Sequence, residues 1–118
     1  MSSLLINGSC GYTGKLIVPL AIEAGTGPIL AGRSRDKTEA HAKEFGLESR
    51  VFGLDDPAQI DRGLAGVNVV LHCAGPFSRT AIPMAEGCIR NKCHYLDITG
   101  EIEVFEALRG IIGGGKMQ

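Results

Sequence analysis

Short apolar runs alternate with longer amphipathic stretches along this chain. The runs are three to five residues long, too short for a helix, and several are rich in β-branched side chains. Runs of this kind that end beside glycine or polar residues are typical of strands in a buried sheet. The pattern predicts five strands, at Leu4–Ile6, Pro28–Ala31, Val51–Leu54, Val67–Leu71 and Tyr95–Ile98.

The stretches between these strands have apolar residues at helical spacing. In the first stretch they form one stripe, Leu16–Ala24, in which Pro19 should kink the helix or loosen one backbone hydrogen bond. Four more helices are predicted. The second helix is Asp36–Phe45 with Gly46 as C-cap, and the third is a short helix from the N-cap Asp56 to about Gly66. The fourth follows the N-cap Thr80, with Pro83 in its first turn, and the fifth is Glu101–Leu108.

Strict alternation of strands and helices indicates right-handed crossovers and a parallel sheet with helices on both faces. We therefore expect a three-layer α/β fold with a doubly wound sheet in strand order 3-2-1-4-5. The chain has 118 residues, of which 44% are hydrophobic, enough for one domain with its own core. We assign residues 1–108 to this domain and the glycine-rich residues 109–118 to a flexible tail.

A glycine-rich motif lies directly between the first strand and the first helix. Gly8, Gly11 and Gly14 have the spacing G-x-x-G-x-x-G. In this context Gly8 permits a sharp turn, Gly11 lets a pyrophosphate approach the backbone, and Gly14 lets the helix pack closely on the strand. A phosphate near a helix N-terminus meets unpaired backbone N–H groups and the positive end of the helix dipole. The motif predicts a dinucleotide site of Rossmann type that also includes Ser9, Cys10, Tyr12 and Thr13; the alternative is a tight turn without a ligand.

The residues after the second strand indicate which dinucleotide is preferred. Domains that prefer NAD place a carboxylate about 20 residues after the glycines, where it bonds the ribose 2′-hydroxyl. This chain has Gly32 and Arg33 at that position, followed by Ser34. A guanidinium binds a 2′-phosphate, so we expect Arg33 and Ser34 to select NADP(H) over NAD. A solvated basic turn is the alternative.

Two further loops follow strands on the expected ligand side of the sheet. Asp56 is a helix cap by its position before Pro57, whereas Asp55 could reach the adenine amino group. After the fourth strand, the loop residues Ala74, Gly75 and Pro76 should keep the backbone close to the cofactor.

Composition and charge exclude several other classes. The net charge of −1 gives no indication of a nucleic-acid surface, and no apolar run approaches the length of a membrane span. There is no recognisable secretory signal, and the four cysteines form neither a C-x-x-C pair nor a metal site, so we expect free thiols in the cytoplasm. His72 and Cys73 are adjacent strand residues on opposite faces, which makes a catalytic pair improbable. His41 and His94 are interpreted as ordinary surface or edge residues.

Four motifs together resemble the saccharopine dehydrogenase-like oxidoreductases, which include saccharopine reductases and trans-acting enoyl reductases. They occur in the expected order, at Gly8–Gly14, Leu30–Ser34, Val70–Phe77 and His94–Glu101. The resemblance implies a Rossmann fold, a nicotinamide cofactor and hydride transfer. It also implies that Gly8, Gly11, Gly14, Arg33 and the Ala74–Phe77 loop line the cofactor site. Members of the family have a second α/β domain with substrate contacts and a dimer surface, and we expect this chain to lack it.

Two functional hypotheses remain. The chain is either the NADP(H)-binding half of an oxidoreductase with an unidentified substrate, or a non-catalytic dinucleotide-binding module that senses cofactor or binds a partner. A short-chain dehydrogenase would need a Tyr-x-x-x-Lys pair, which neither Tyr12 nor Tyr95 provides. No catalytic acid or base is identified. The edge strand Cys93–Ile98 could also pair with a second copy to form a homodimer.

Overall fold

The computed structural model describes residues 3–73 and 77–97, and only the backbone of residues 77–81 and 97. These residues form alternating strands and helices. The strands are β1 (Leu4–Asn7), β2 (Ile29–Gly32), β3 (Ser49–Val51), β4 (Val69–His72) and β5 (His94–Asp97). The helices are α1 (Tyr12–Glu23), α2 (Arg35–Phe45), α3 (Pro57–Gly63) and α4 (Phe77–Arg90).

The five strands form one parallel sheet in the order β3-β2-β1-β4-β5, which confirms the predicted α/β architecture. Asn7, the last residue of β1, lies level with Ala31 of β2 and with His72 of β4. The loops after these strands therefore leave the sheet along one edge. Because the direction of strand succession reverses at β1, this is the edge at which open α/β sheets bind ligands.

Apolar side chains cover both faces of the sheet. One buried cluster packs α1 and α2 against the sheet and consists of Leu4, Ile6, Ile17, Val18, Ala21, Leu30, Ala42, Val69 and Leu71. The opposite cluster packs α3 and α4 and consists of Leu5, Ile29, Ala31, Phe52, Ile60, Leu64, Val67, Val70, Met84 and Cys88. Alternate residues of β1 and β4 thus enter opposite clusters, as the pleat of a strand requires. No helix in the described part of the chain is long and apolar enough to cross a membrane.

Two elements differ from their predicted positions. The third strand pairs through Ser49–Val51 rather than Val51–Leu54. It lies at the edge of the sheet, where polar residues are tolerated, and the Phe52 ring packs instead against Gly63 of α3.

The fourth helix begins at Phe77, so the prediction that Thr80 caps it is wrong and Pro83 lies inside the helix. An interior proline removes one backbone hydrogen bond, a local cost that the rest of a 14-residue helix can absorb. In α1, Pro19 is also interior, and it lies on the exposed face where water can satisfy the freed carbonyl. The predicted helix Glu101–Leu108, residue Ile98 and the tail 109–118 lie outside the described residues.

Candidate dinucleotide-binding site

The loop from β1 into α1, which we call the glycine turn (Gly8–Gly14), is anchored on the end of β2. The amides of Gly8 and Ser9 donate to the carbonyl oxygen of Ala31 at 2.8 and 3.3 Å. Gly8 has a φ of 80°, a left-handed conformation that glycine adopts without strain. The amide of Gly11 donates to the Gly8 carbonyl at 3.1 Å and closes the turn. The backbone therefore turns sharply where the sequence predicted.

Gly14, in the first turn of α1, lies directly against the backbone of this loop. A Cβ added at Gly14 would come within 2.5 Å of the carbonyl oxygens of both Gly8 and Ser9. Real Cβ atoms do not approach backbone so closely, so only glycine allows α1 to lie at this distance from the loop. The close helix packing predicted for Gly14 is present.

The N-terminus of α1 is open to a ligand. Gly11 is its N-cap, is exposed, and has φ −73° and ψ 173°, so its backbone does not require glycine. No side chain among the described residues caps the helix. The first-turn amides at Tyr12, Thr13 and Gly14 have no acceptor within the helix, and together with the helix dipole they favour an anion. The site contains the unpaired donors that phosphate binding needs.

The side chains of the glycine turn differ in exposure. Tyr12 is 83% exposed, Cys10 and Thr13 are partly buried, and Ser9 is fully buried. The Ser9 Oγ lies 3.2 Å from Nδ1 of His41 and 3.9 Å from the sulfur of Cys10. Ser9 therefore faces α2 rather than a ligand, whereas Tyr12 extends into solvent at the start of α1.

The interpretation of His41 as a surface residue is wrong. His41 is only 7% exposed and packs edge-on against the Phe45 ring, with ring centroids 5.5 Å apart. It lies on the buried face of α2 with Thr38 and Ala42. These residues are three and four positions apart, the spacing that places side chains on one face of a helix, and this spacing is the sequence signal for the burial of His41.

A cavity of about 360 Å³ adjoins His41 and the glycine turn. It is lined by Cys10, Lys15, Lys37, Ala40, His41 and Glu44. Burial lowers the pKa of His41, Glu44 partly opposes this, and Lys15 adds to it. The imidazole is therefore neutral near pH 7, and it can exchange a hydrogen bond with the Ser9 hydroxyl in either tautomer.

Arg33 and Ser34 lie between the end of β2 and the start of α2, and both are exposed. Ser34 is the N-cap of α2, but its side chain makes no capping bond. The next residue, Arg35, forms an ion pair with Glu39 at 3.0 Å, whereas no ion pair to Arg33 is found among the described residues. Arg33 is therefore available to meet an anion at this edge.

Of the two acidic residues after β3, Asp56 caps the next helix as predicted. The carboxylate of Asp56 accepts from the amide of Ala58 at 3.0 Å and caps α3. Asp55 is exposed beside it. The loop after β4, which is predicted to line the cofactor through Ala74, Gly75 and Pro76, lies outside the described residues. The described residues include the other three predicted loops, which follow β1, β2 and β3.

His72 and Cys73 lie on opposite faces of the sheet, as predicted. His72 is buried, with its Nδ1 3.3 Å from the Nδ2 of Asn7 and its ring against Tyr95. Cys73 packs on the other face, and burial raises the pKa of its thiol to about 12. These groups therefore serve the core rather than nucleophilic chemistry. Among the described residues, no cluster of three or more histidine, cysteine or acidic side chains could hold a metal ion.

Comparison with known proteins agrees with this geometry. The model of a family described as the saccharopine dehydrogenase NADP binding domain matches residues 4–109. A bovine saccharopine dehydrogenase-like oxidoreductase is 29% identical over 124 residues, covering 89% of this chain and 29% of that protein. The trans-acting enoyl reductase of Mycobacterium leprae is 29% identical over 106 residues, covering 84% of this chain and 25% of that protein. The chain spans less than a third of these curated relatives.

Solved structures share the fold. Saccharopine dehydrogenase (L-Glu forming) from Saccharomyces cerevisiae superimposes with a TM-score of 0.69 at 23% identity, over 82% of this chain and 21% of that one. Triphenylmethane reductase from Citrobacter sp., solved in complex with NADP(H), superimposes with a TM-score of 0.68 at 19% identity, over 80% of this chain and 36% of that one. At these identities the superpositions establish the Rossmann-type fold.

Proposed function

The chain belongs to the family of saccharopine dehydrogenase NADP-binding domains, and from this premise we propose that it is the NADP(H)-binding part of an oxidoreductase. When bound, the nicotinamide cofactor would supply the hydride that such an enzyme exchanges with its substrate. The observation that carries the proposal is the glycine turn, which presents the uncapped N-terminus of α1 at the ligand edge of the sheet.

The glycine turn fits a pyrophosphate. A Cβ added at Gly11 would meet, among the described residues, only the Gly8 carbonyl oxygen, at 3.4 Å. The exposed space beside Gly11 is where a phosphate can approach the amides of Tyr12 and Thr13. In this role Gly8 shapes the loop and Gly14 brings α1 close, while Ser9 and Cys10 form the connection between them.

Arg33 and Ser34 are the proposed ligands of the ribose 2′-phosphate. Both are exposed at the end of β2, beside the glycine turn that hydrogen-bonds to the same strand. A guanidinium that is not held in an ion pair can bind phosphate with two parallel hydrogen bonds. We further propose that Asp55 reaches the adenine amino group, and that Ala74, Gly75 and Pro76 line the cofactor beyond the end of β4.

Calorimetry with two cofactors tests this assignment. The unmodified chain should bind NADPH more tightly than NADH, and Arg33→Ala should weaken NADPH binding by about tenfold or more, since a charge-assisted hydrogen bond contributes about 1.5–3 kcal/mol. Arg35→Ala is the matched control because Arg35 is paired with Glu39, and it should leave the preference in place. Equal affinity of the unmodified chain for both cofactors would contradict the assignment.

Hydride transfer itself belongs to the whole protein, whose substrate this chain does not identify. A non-catalytic cofactor-binding module would bind NADPH in the same way. The two functions separate on the full-length protein, because an oxidoreductase must interconvert NADPH and NADP with some reducible compound and a module must not. We also propose a reducing compartment such as the cytoplasm, on the basis of the four free cysteines.

Assembly through the Cys93–Ile98 edge is a further part of the proposal. β5 is the last strand on its side of the described sheet, so one row of its backbone groups faces outward. Such an edge can pair with a second copy around a two-fold axis. Light scattering should then show a dimer at high protein concentration, and a monomer under the same conditions would contradict the pairing.

A further inference from the structure

The Ser9 hydroxyl is a polar group inside the glycine turn that no cofactor role accounts for. Ser9 has no exposed surface, so it cannot contact a bound dinucleotide through its side chain. Its Oγ lies 3.2 Å from Nδ1 of His41, which is itself 7% exposed. A buried hydrogen bond between residues 32 positions apart therefore connects the glycine turn to the middle of α2.

Through the position of His41 on α2, this hydrogen bond is also connected to the proposed 2′-phosphate site. α2 starts immediately after Arg33 and Ser34, the residues assigned to the 2′-phosphate. Near its start the helix is held close to β2, since a Cβ at Gly32 would come within 2.6 Å of the Thr38 hydroxyl. The helix α2 thus connects the Arg33 loop, which is proposed to bind the 2′-phosphate, to His41. His41 in turn connects the helix to the glycine turn, which is proposed to bind the pyrophosphate.

Little in the surroundings of His41 could replace it. Its ring is fixed by the edge-on contact with Phe45. The charged groups facing it are Lys15 from α1 and Lys37 and Glu44 from α2, across the cavity that also includes Cys10. Removing the imidazole would leave the buried Ser9 hydroxyl, among the described residues, with the weak contact to the Cys10 sulfur at 3.9 Å alone, which is unfavourable in a buried site.

We propose that His41 is a positioning residue of the cofactor site: its bond to Ser9 holds the glycine turn in register with the loop that carries Arg33. A dinucleotide with a 2′-phosphate must contact both at once. If the two regions shift relative to each other, each can still bind its own group, but one ligand, in which covalent bonds limit the distance between the 2′-phosphate and the pyrophosphate, cannot contact both in equally good geometry. The inference rests on the proposed function of the site.

The test compares ligands that span one or both regions, by calorimetry on the full chain. His41→Leu should raise the Kd of NADPH about fivefold, because a lost buried hydrogen bond corresponds to a change of this order. The Kd of adenosine 2′-phosphate, which reaches only the Arg33 loop, should change less than about twofold. A general loss of folding would weaken both ligands alike, so the difference is specific to positioning.

Two further variants keep the interpretation unambiguous. His41→Asn places an amide near the position of Nδ1 and should restore most of the NADPH affinity. Ser9→Ala should raise the Kd of NADPH as much as His41→Leu does, and the double variant of Ser9→Ala and His41→Leu should have the same Kd as either single variant. Ala42→Gly is the control for a destabilised α2, since Ala42 is buried next to His41 but packs into the sheet core; it should leave the ratio of the two Kd values unchanged.

The outcomes separate this inference from the proposed function. Normal NADPH binding by His41→Leu, or an equal loss for both ligands that His41→Asn does not restore, would overturn the positioning role alone. If His41→Leu fails to fold, the same comparison is decided by Ser9→Ala and His41→Asn. Absence of NADPH binding by the unmodified chain would overturn the proposed function, and the positioning role with it.

Discussion

Replacing Gly14 by alanine should damage the fold and the cofactor site together. The added Cβ would lie 2.5 Å from the carbonyl oxygens of Gly8 and Ser9, and 2.7 Å from the carbonyl carbon of Ser9. All three are backbone atoms, so no side-chain rotation relieves the clash. The first turn of α1 must therefore move away from the loop, as the backbone does in other overpacked sites.

The magnitude follows from two opposing effects. Overpacking costs about 1–3 kcal/mol, and the better helix propensity of alanine offsets at most about 1 kcal/mol of that. Taking the middle of the overpacking range, about 2 kcal/mol, the net loss is about 1–2 kcal/mol, which lowers the Tm of a domain of this size by roughly 4–10 °C. The same movement withdraws the first-turn amides from the pyrophosphate position, so NADPH affinity should fall as well.

Gly11→Val, at the N-cap of α1, is the matched comparison within the same turn. Gly11 has an extended backbone conformation and free space around its Cβ position, so the fold should tolerate a side chain there. That side chain would occupy the space of the pyrophosphate, and binding should be lost while the Tm changes little. Thermal melts and NADPH titrations on both variants are the assay. A Gly14→Ala variant with unchanged Tm and affinity would refute the packing argument.

Two other predictions concern ionisable groups. Burial raises the pKa of Cys73 and of Cys88 to about 12, so both thiols should react with iodoacetamide at pH 8 far more slowly in the folded chain than after denaturation; equal rates would contradict their burial. Burial lowers the pKa of His41 below its usual 6.5, so at mildly acidic pH the unfolded chain binds more protons than the folded chain, and stability falls as pH decreases below about 6.5. Between pH 7.5 and 5.5 the Tm of the His41→Leu variant should therefore fall less than the Tm of the unmodified chain. An equal decrease in both proteins would contradict the coupling of His41 protonation to stability.

Structure can be predicted from this sequence wherever the backbone conformation or a close backbone contact permits only one type of residue. Gly8 is needed for a positive φ, and Gly14 for a close contact, so the glycine turn is recognisable from its residues alone. The sheet order is also predictable, because short connections and crossover handedness leave few alternatives for alternating strands and helices. Asp56 and Gly46 mark helix ends through capping chemistry that depends on neighbouring residues only.

The errors arise where distant residues decide the outcome. The hydrogen bond of the buried His41 to Ser9 joins segments 32 positions apart, a contact that the local pattern does not reveal. The predicted start of α4 is wrong because a threonine shortly before a proline resembles a helix cap, whereas the helix extends past both. The third strand differs because the partly polar residues Ser49 and Arg50 pair with β2 at the edge of the sheet, whereas the Phe52 side chain packs on Gly63 of α3.

The central claim is that the glycine turn and the Arg33 loop together hold NADP(H), and a crystal structure of the chain with NADPH tests it most directly. We predict pyrophosphate oxygens within hydrogen-bonding distance of the amides at Tyr12 or Thr13, and the 2′-phosphate paired with Arg33. The chain has another basic cavity, of about 380 Å³, lined in part by Arg50 and Arg62. NADPH bound there, or with its 2′-phosphate away from Arg33, would contradict the account.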